Sequence, residues 1–318
     1  MKRSRSWKAL ATAGTAACLA FGGASAAWAD QAAVALSAGS PFPESLTATA
    51  DGTLFAGSLT HGGVVRAKPG SAQAEVWIKP GAFGTRSTFG VLADEANGPL
   101  WVCSNDASQL GAKGPTEIEG SFVKSFDLKT GEGRISVELP SRPAICNDMA
   151  IGPDKALYVS NTAQPQILRL AFGETKLEVW AQDDRLKGGL DGLAFGTDGA
   201  LYANTFISGE LFRFEVNGGS VGRIDKIETP RPLKLPDALK ADGDGFLMVE
   251  GGGPLSRVTI ADGKATLTMI KEFAGPTGLA RVGDVVWVAE GQIVNLVDPS
   301  LKGQMPKSFQ FRSTKADR

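Results

Sequence analysis

The chain has 318 residues, 42% of them hydrophobic and 21% charged, with 40 glycines and 17 prolines. Such a composition belongs to a packed protein rich in tight turns and excludes a disordered, collagen-like or coiled-coil chain. A formal net charge of −1 excludes the broad basic field with which proteins hold nucleic acid.

In chain order, the first feature is a leader. Lys2, Arg3, Arg5 and Lys8 precede a small, mainly apolar run from Ala9 to Gly23, and Ala27-Trp28-Ala29 is an A-x-A cleavage pattern. Residues 1–29 therefore read as a secretory signal peptide, with 30–318 as a single domain beginning at Asp30. Loss of the four basic residues takes the formal charge from −1 to −5. No later segment approaches the run of about 20 apolar residues that a spanning helix needs. The processed protein is expected in the periplasm or outside the cell, without an integral membrane span and as a monomer. Its cysteines are Cys103 and Cys146. An oxidising compartment permits a disulfide between them; two buried thiols acting as small hydrophobes are the alternative.

Six segments then repeat one pattern, a short strand, a turn rich in Asp and Gly, and a second apolar strand: 45–59, 88–105, 147–162, 191–206, 236–251 and 277–292. Their second-strand anchors, Leu54, Leu100, Leu157, Leu201, Phe246 and Val286, lie 46, 57, 44, 45 and 40 residues apart. A third strand-like stretch follows at 63–69, 121–128, 166–172, 210–216 and 255–260, and a fourth at 74–80 and 176–182. Four short strands per repeat of this length are the signature of a propeller blade. The expected fold is all-β, a six-bladed β-propeller with four-stranded blades around a central channel. Either 32–37 or 308–313 is expected to supply the strand missing from the last blade.

In such a ring the first strand of each blade lines the channel, so the residues just before each turn converge on the axis. They are Glu44, Thr88 to Gly90, Asn147 with Asp148, Asp191, Asp237 and Thr277. Two carboxylates about 5 Å apart repel by roughly 3 kcal/mol at an effective dielectric near 20. Three cannot all stay ionised there without a cation or raised pKa values. Carboxylates plus an amide carbonyl suit one hard divalent cation, Ca²⁺ first, with Mg²⁺, Mn²⁺ or Zn²⁺ also accommodated. The plainer alternative is a set of polar strand-start residues satisfied by backbone N–H groups.

This pattern resembles the family of regucalcin (senescence marker protein), gluconolactonase and related sugar-acid lactonases. The resemblance is spread over roughly 42–300 and is strongest at FPESLTATADGTLF, CNDMAIGPDKALYVSNT and LPDALKADGDGFLMVEGG. It implies Glu44 and Asp237 as metal ligands, Asp237 also as general base, and Asn147 as a substrate-side residue. There are departures. Asp191 stands where the family usually has Asn, which adds a negative charge to the metal set Glu44, Asp191 and Asp237. Ile145 stands where its sugar-acid enzymes often have Arg, which weakens the case for a substrate with a free carboxylate.

His61, the only histidine, follows blade one's second strand and is a substrate-contact candidate; THGG is equally a plain turn. Asp106, Asn161, Asn204, Glu250 and Glu290 end second strands and read as pocket walls or solvated loop residues. The expected activity is an exported, metal-dependent hydrolysis of a small-molecule lactone or related ester. The alternatives are a non-catalytic propeller that binds a carbohydrate, peptide or protein partner, and a phosphotriesterase-like hydrolase on the same metal site.

Overall fold

The computed structural model describes residues 33–37, 39, 41–301 and 304–316; the expected leader lies outside them. Among the described residues twenty-four strands, numbered in chain order, form six antiparallel four-stranded sheets. Blade one holds β2 (Thr47–Ala48), β3 (Leu54–Gly57), β4 (Val64–Ala67) and β5 (Glu75–Ile78). Blade two holds β6 (Ser87–Ala93), β7 (Pro99–Asn105), β8 (Ser121–Asp127) and β9 (Gly133–Glu138). Blade three holds β10 (Cys146–Ile151), β11 (Leu157–Asn161), β12 (Gln166–Leu170) and β13 (Leu177–Gln182). Blade four holds β14 (Leu190–Phe195), β15 (Leu201–Thr205), β16 (Glu210–Asn217) and β17 (Ser220–Ile227). Blade five holds β18 (Pro236–Asp242), β19 (Gly245–Glu250), β20 (Pro254–Ala261) and β21 (Lys264–Glu272).

Blade six is built from both parts of the chain. Its two inner strands are β22 (Gly278–Val282) and β23 (Val285–Ala289). Its third is β24 (Gln310–Lys315), and its outermost is β1 (Ala33–Ala35), paired Val34 to Phe311. The sequence offered two candidates for one missing strand; the blade takes both, because β22 and β23 alone leave two places open. The first strands β2, β6, β10, β14, β18 and β22 touch their neighbours around the ring, β22 meeting β2 at the closure.

Each pair of adjacent blades encloses its own apolar layer. Tyr158, Trp180, Phe212 and Phe214 fill the seam of blades three and four; Val34, Leu54, Trp287 and Phe311 fill that of blades six and one. Tyr158 meets Trp180 edge to face at 5.0 Å, a contact worth about 0.5–1.5 kcal/mol beyond area burial. Polar turns reinforce the hairpins. In blades three and four the turn aspartates Asp154 and Asp198 each accept from a tyrosine hydroxyl and an arginine of the same blade: Tyr158 with Arg169, and Tyr202 with Arg213. No helix among the described residues is long and apolar enough to cross a membrane.

Candidate functional site at the propeller axis

The axial residues sit where the inner strands break register. In β6, β10, β14 and β18 one extra residue interrupts the pairing with the second strand, between Thr88 and Val91, Cys146 and Met149, Leu190 and Leu193, and Pro236 and Leu239. A bulge of this kind re-aims side chains and bends the strand. The bulged pairs are Phe89-Gly90, Asn147-Asp148, Asp191-Gly192 and Asp237-Ala238. In blade one Glu44 lies just ahead of β2, and in blade six Thr277 lies just ahead of β22.

In blades two and four a glycine as second residue lets the bulges nest. A Cβ on Gly192 would run into the Asp237 carbonyl, and one on Gly90 into the Asn147 carbonyl. Glycine therefore lets the backbones of neighbouring blades touch beside the axis. Glu44 is fixed through the ring closure: Thr277 Oγ1 donates to the Pro43 carbonyl at 2.7 Å, and a side chain at Gly291 would overlap that same oxygen.

Glu44, Asp191, Asp237, Asn147 and Asp148 are all buried, 3–5% exposed. Asn147 Nδ2 donates to Asp191 Oδ2 at 3.0 Å and to Thr162 Oγ1 at 2.9 Å. The carboxylates of Glu44 and Asp237 accept no hydrogen bond among the described residues. Burial, then the charges of Asp191 and Asp148, push Glu44 well above the usual carboxylate range. Burial, then Asp191, Glu44 and Asp148, do the same to Asp237. For Asp191, burial and Asp148 raise the pKa, against the Asn147 hydrogen bond and the Lys240 charge. The three groups of the expected metal set thus share one buried electrostatic field. Among the described residues, however, no three His, Cys, Asp or Glu side chains already stand as a metal-ligating group. The arrangement offers oxygen donors only, with negative charge in excess.

His61 does not join them. It lies exposed in the turn after β3, with its Nδ1 3.0 Å from Thr60 Oγ1. Of the second-strand ends, Asn161, Asn204, Glu250 and Glu290 are buried fasteners and not solvated loop residues. Asn204 Oδ1 accepts from Gly192 N at 2.9 Å and its Nδ2 donates to the Asp237 carbonyl at 2.7 Å, tying blade four to blade five. Asn161 accepts from Ile145 N, Glu250 from Lys234 N and both arms of Arg231, and Glu290 from Ala274 N. Asp106 is half-buried and pairs with Arg86 at 3.1 Å. Asn105, unremarked in the sequence, clasps both backbone groups of Cys146 at 2.9 and 2.8 Å. Beside it Cys103 and Cys146 form a disulfide, their Cα atoms 5.2 Å apart. Blade two is thereby fastened to blade three one residue before Asn147.

Sequence reading also missed Lys240. Its ammonium lies 2.8 and 2.9 Å from the two oxygens of Asp148. A lysine at a position otherwise occupied by small or apolar inner-strand residues was the available signal.

Comparison with protein-family profiles gives no match, and comparison with curated proteins gives none. Solved structures share the fold. A gluconolactonase from Xanthomonas campestris is 16% identical, covering 86% of this chain and 87% of that protein, with a TM-score of 0.61. A virginiamycin B lyase from Staphylococcus aureus is 20% identical over 85% of this chain and 80% of its own, with a TM-score of 0.58; changing one of its histidines to alanine leaves it catalytically inactive. The PQQ-bound aldose sugar dehydrogenase of Streptomyces coelicolor is 15% identical over 90% and 97%, with a TM-score of 0.60. At these identities the likeness establishes the propeller and leaves the reaction to the site.

Proposed function

We propose that the protein is an exported, metal-dependent hydrolase of a lactone or related carboxylic ester. The observation that carries this reading is the buried trio Glu44, Asp191 and Asp237, of which Glu44 and Asp237 accept no hydrogen bond among the described residues. Buried carboxylates without donors are costly unless a cation joins them. Oxygen donors in this number, with negative charge in excess, fit a hard divalent ion, Ca²⁺ first. Glu44, Asp191 and Asp237 would hold it. A bound dication supplies Lewis-acid polarisation of a carbonyl oxygen and eases loss of a proton from water.

The chain's own groups supply the rest. Asp237, beside the site the cation would occupy, takes a proton from the attacking water, a step typically worth 10²–10⁴-fold. Water oxygen bonds to the carbonyl carbon, the ring C–O bond breaks, and the departing alkoxide recovers the proton that Asp237 took. The product is a hydroxy acid. Asn147 uses its amide N–H groups on Asp191 and Thr162, which leaves its carbonyl oxygen to face a substrate hydroxyl. The narrow exposure of the ring favours a small substrate. With Ile145 in place of a cation, the substrate is expected to lack a free carboxylate.

A gluconolactonase among the structural neighbours supports the hydrolytic reading. A histidine-dependent reaction like that of the lyase finds less support, because the single histidine lies exposed and makes no contact with the buried carboxylates. The test is acid release from gluconolactone and from aliphatic lactones, with and without chelator. Turnover that EDTA abolishes, that Ca²⁺ restores, and that falls at least 100-fold in Asp237→Ala is expected. Full activity in Asp237→Ala overturns the base assignment, and no turnover under any metal overturns the hydrolase. The disulfide supports the exported, oxidising setting.

A further inference from the structure

Lys240 brings a positive charge among the axial carboxylates. It lies on β18 of blade five, three residues beyond Asp237. Its side chain spans blade four to reach Asp148 of blade three, with Nζ at 2.8 and 2.9 Å from the two carboxylate oxygens. Asp148 is further pinned by blade four, accepting from Leu193 N at 3.0 Å. The matching inner-strand positions in the other blades are Thr47, Leu92, Ala150, Ala194 and Ala280. A charge here is peculiar to one blade, so the propeller itself does not demand it. The Lys240–Asp148 pair adjoins the acidic set on two sides: Asp148 follows Asn147, which donates to Asp191 at 3.0 Å, and Lys240 shares its strand with Asp237. Four carboxylates and one ammonium carry a formal charge of −3.

We infer that Lys240 is a built-in counter-cation: it holds the acidic channel together when no dication is present, and its charge limits how strongly the channel draws one in. The inference rests on the metal reading above. It differs from a plain inter-blade strut, which would matter for shape and not for charge. On the charge account, Ca²⁺ binding follows the formal sum of the five groups, whichever residue alters it. Lys240→Met makes that sum −4, Asp148→Asn makes it −2, and the double variant returns it to −3.

The experiment is thermal unfolding of the processed protein and these three variants, first in EDTA and then titrated with Ca²⁺ alone. In EDTA, Lys240→Met is expected to melt about 10 °C lower, since Asp148 is left buried and unpaired. Its gain at saturating Ca²⁺ should exceed that of the unaltered chain, and its half-saturating Ca²⁺ concentration should be about tenfold lower. Asp148→Asn should shift both quantities the opposite way. The double variant should track the unaltered chain. A Lys240→Met gain no larger than that of the unaltered chain overturns the inference, as does a double variant that behaves like Lys240→Met. Those outcomes leave the metal reading standing; no response to Ca²⁺ in any of the four chains, nor to Mg²⁺, Mn²⁺ or Zn²⁺ in its place, removes the metal reading and the inference together. Should Lys240→Met fail to fold, the order of the other three decides.

Discussion

Asn204 offers the sharpest check on how blades four and five are joined at the axis. Its side chain is fully buried. It satisfies the Gly192 N–H at 2.9 Å and the Asp237 carbonyl at 2.7 Å. Asn204→Ala strands both backbone groups in a dry seam, at about 1–3 kcal/mol each. The vacated amide adds about 1 kcal/mol of cavity cost. A total near 4 kcal/mol is expected, or about 8 °C in melting temperature for a domain of this size. Asn204→Asp is the control. It keeps an acceptor for Gly192 N–H but sets an oxygen against the Asp237 carbonyl and adds one more buried carboxylate. It should cost at least as much at pH 7 and recover in part at pH 5, where a protonated carboxyl can donate again. Equilibrium urea unfolding at both pH values measures this. A loss below about 1 kcal/mol in Asn204→Ala at pH 7 would refute the clasp as an energetic joint.

Two further outcomes follow from the same geometry. Burial and mutual repulsion raise Glu44, Asp191 and Asp237 in the folded chain, so the fold holds protons that the unfolded chain has released. Their stabilisation is full below the ordinary carboxylate range near pH 4 and is lost as pH climbs toward the folded values. In chelator, stability should therefore fall between pH 5 and 7, by up to about 1.4 kcal/mol per pH unit for each carboxyl still protonated; saturating Ca²⁺ should flatten the slope, and greater stability at pH 7 than at pH 5 in chelator would contradict the acidic field. The bridge between Cys103 and Cys146 spans 43 residues, for which chain-closure entropy gives about 4 kcal/mol. Replacing both cysteines by serine should lower the melting temperature by about 8 °C, and an unchanged melting point would assign the joint to Asn105 alone.

Much of this was legible in the sequence because each blade repeats a local rule. Asp- and Gly-rich turns between apolar strands marked all six hairpins, and the residues ahead of those turns marked the axis. Glu44, Asn147, Asp191 and Asp237 are legible because each falls at the same place in its repeat, ahead of the turn; in the last three a bulge turns the side chain to the axis. What escaped is set by side-chain reach across blades. Nothing local tells Asn204 from a solvated loop residue; its partners are the Gly192 amide and a carbonyl 33 residues on. Lys240 and Asp148 are 92 residues apart, and only ring curvature brings them together. The two cysteines left a disulfide and free thiols equally open, because pairing depends on how closely neighbouring blades approach.

The sewn sixth blade sets the order in which the centre comes into being. β24 leaves the ribosome after the other described strands, and until then β1 has only its bridge from Ala35 to Gln73 and no strand beside it. Pro43, which presents Glu44, is gripped by Thr277 and Gly291 of that same blade. The acidic centre can therefore be completed only after translation has passed Thr277 and Gly291. A nascent chain stalled short of Thr277 would carry the other carboxylates without the bond that positions Pro43 ahead of Glu44.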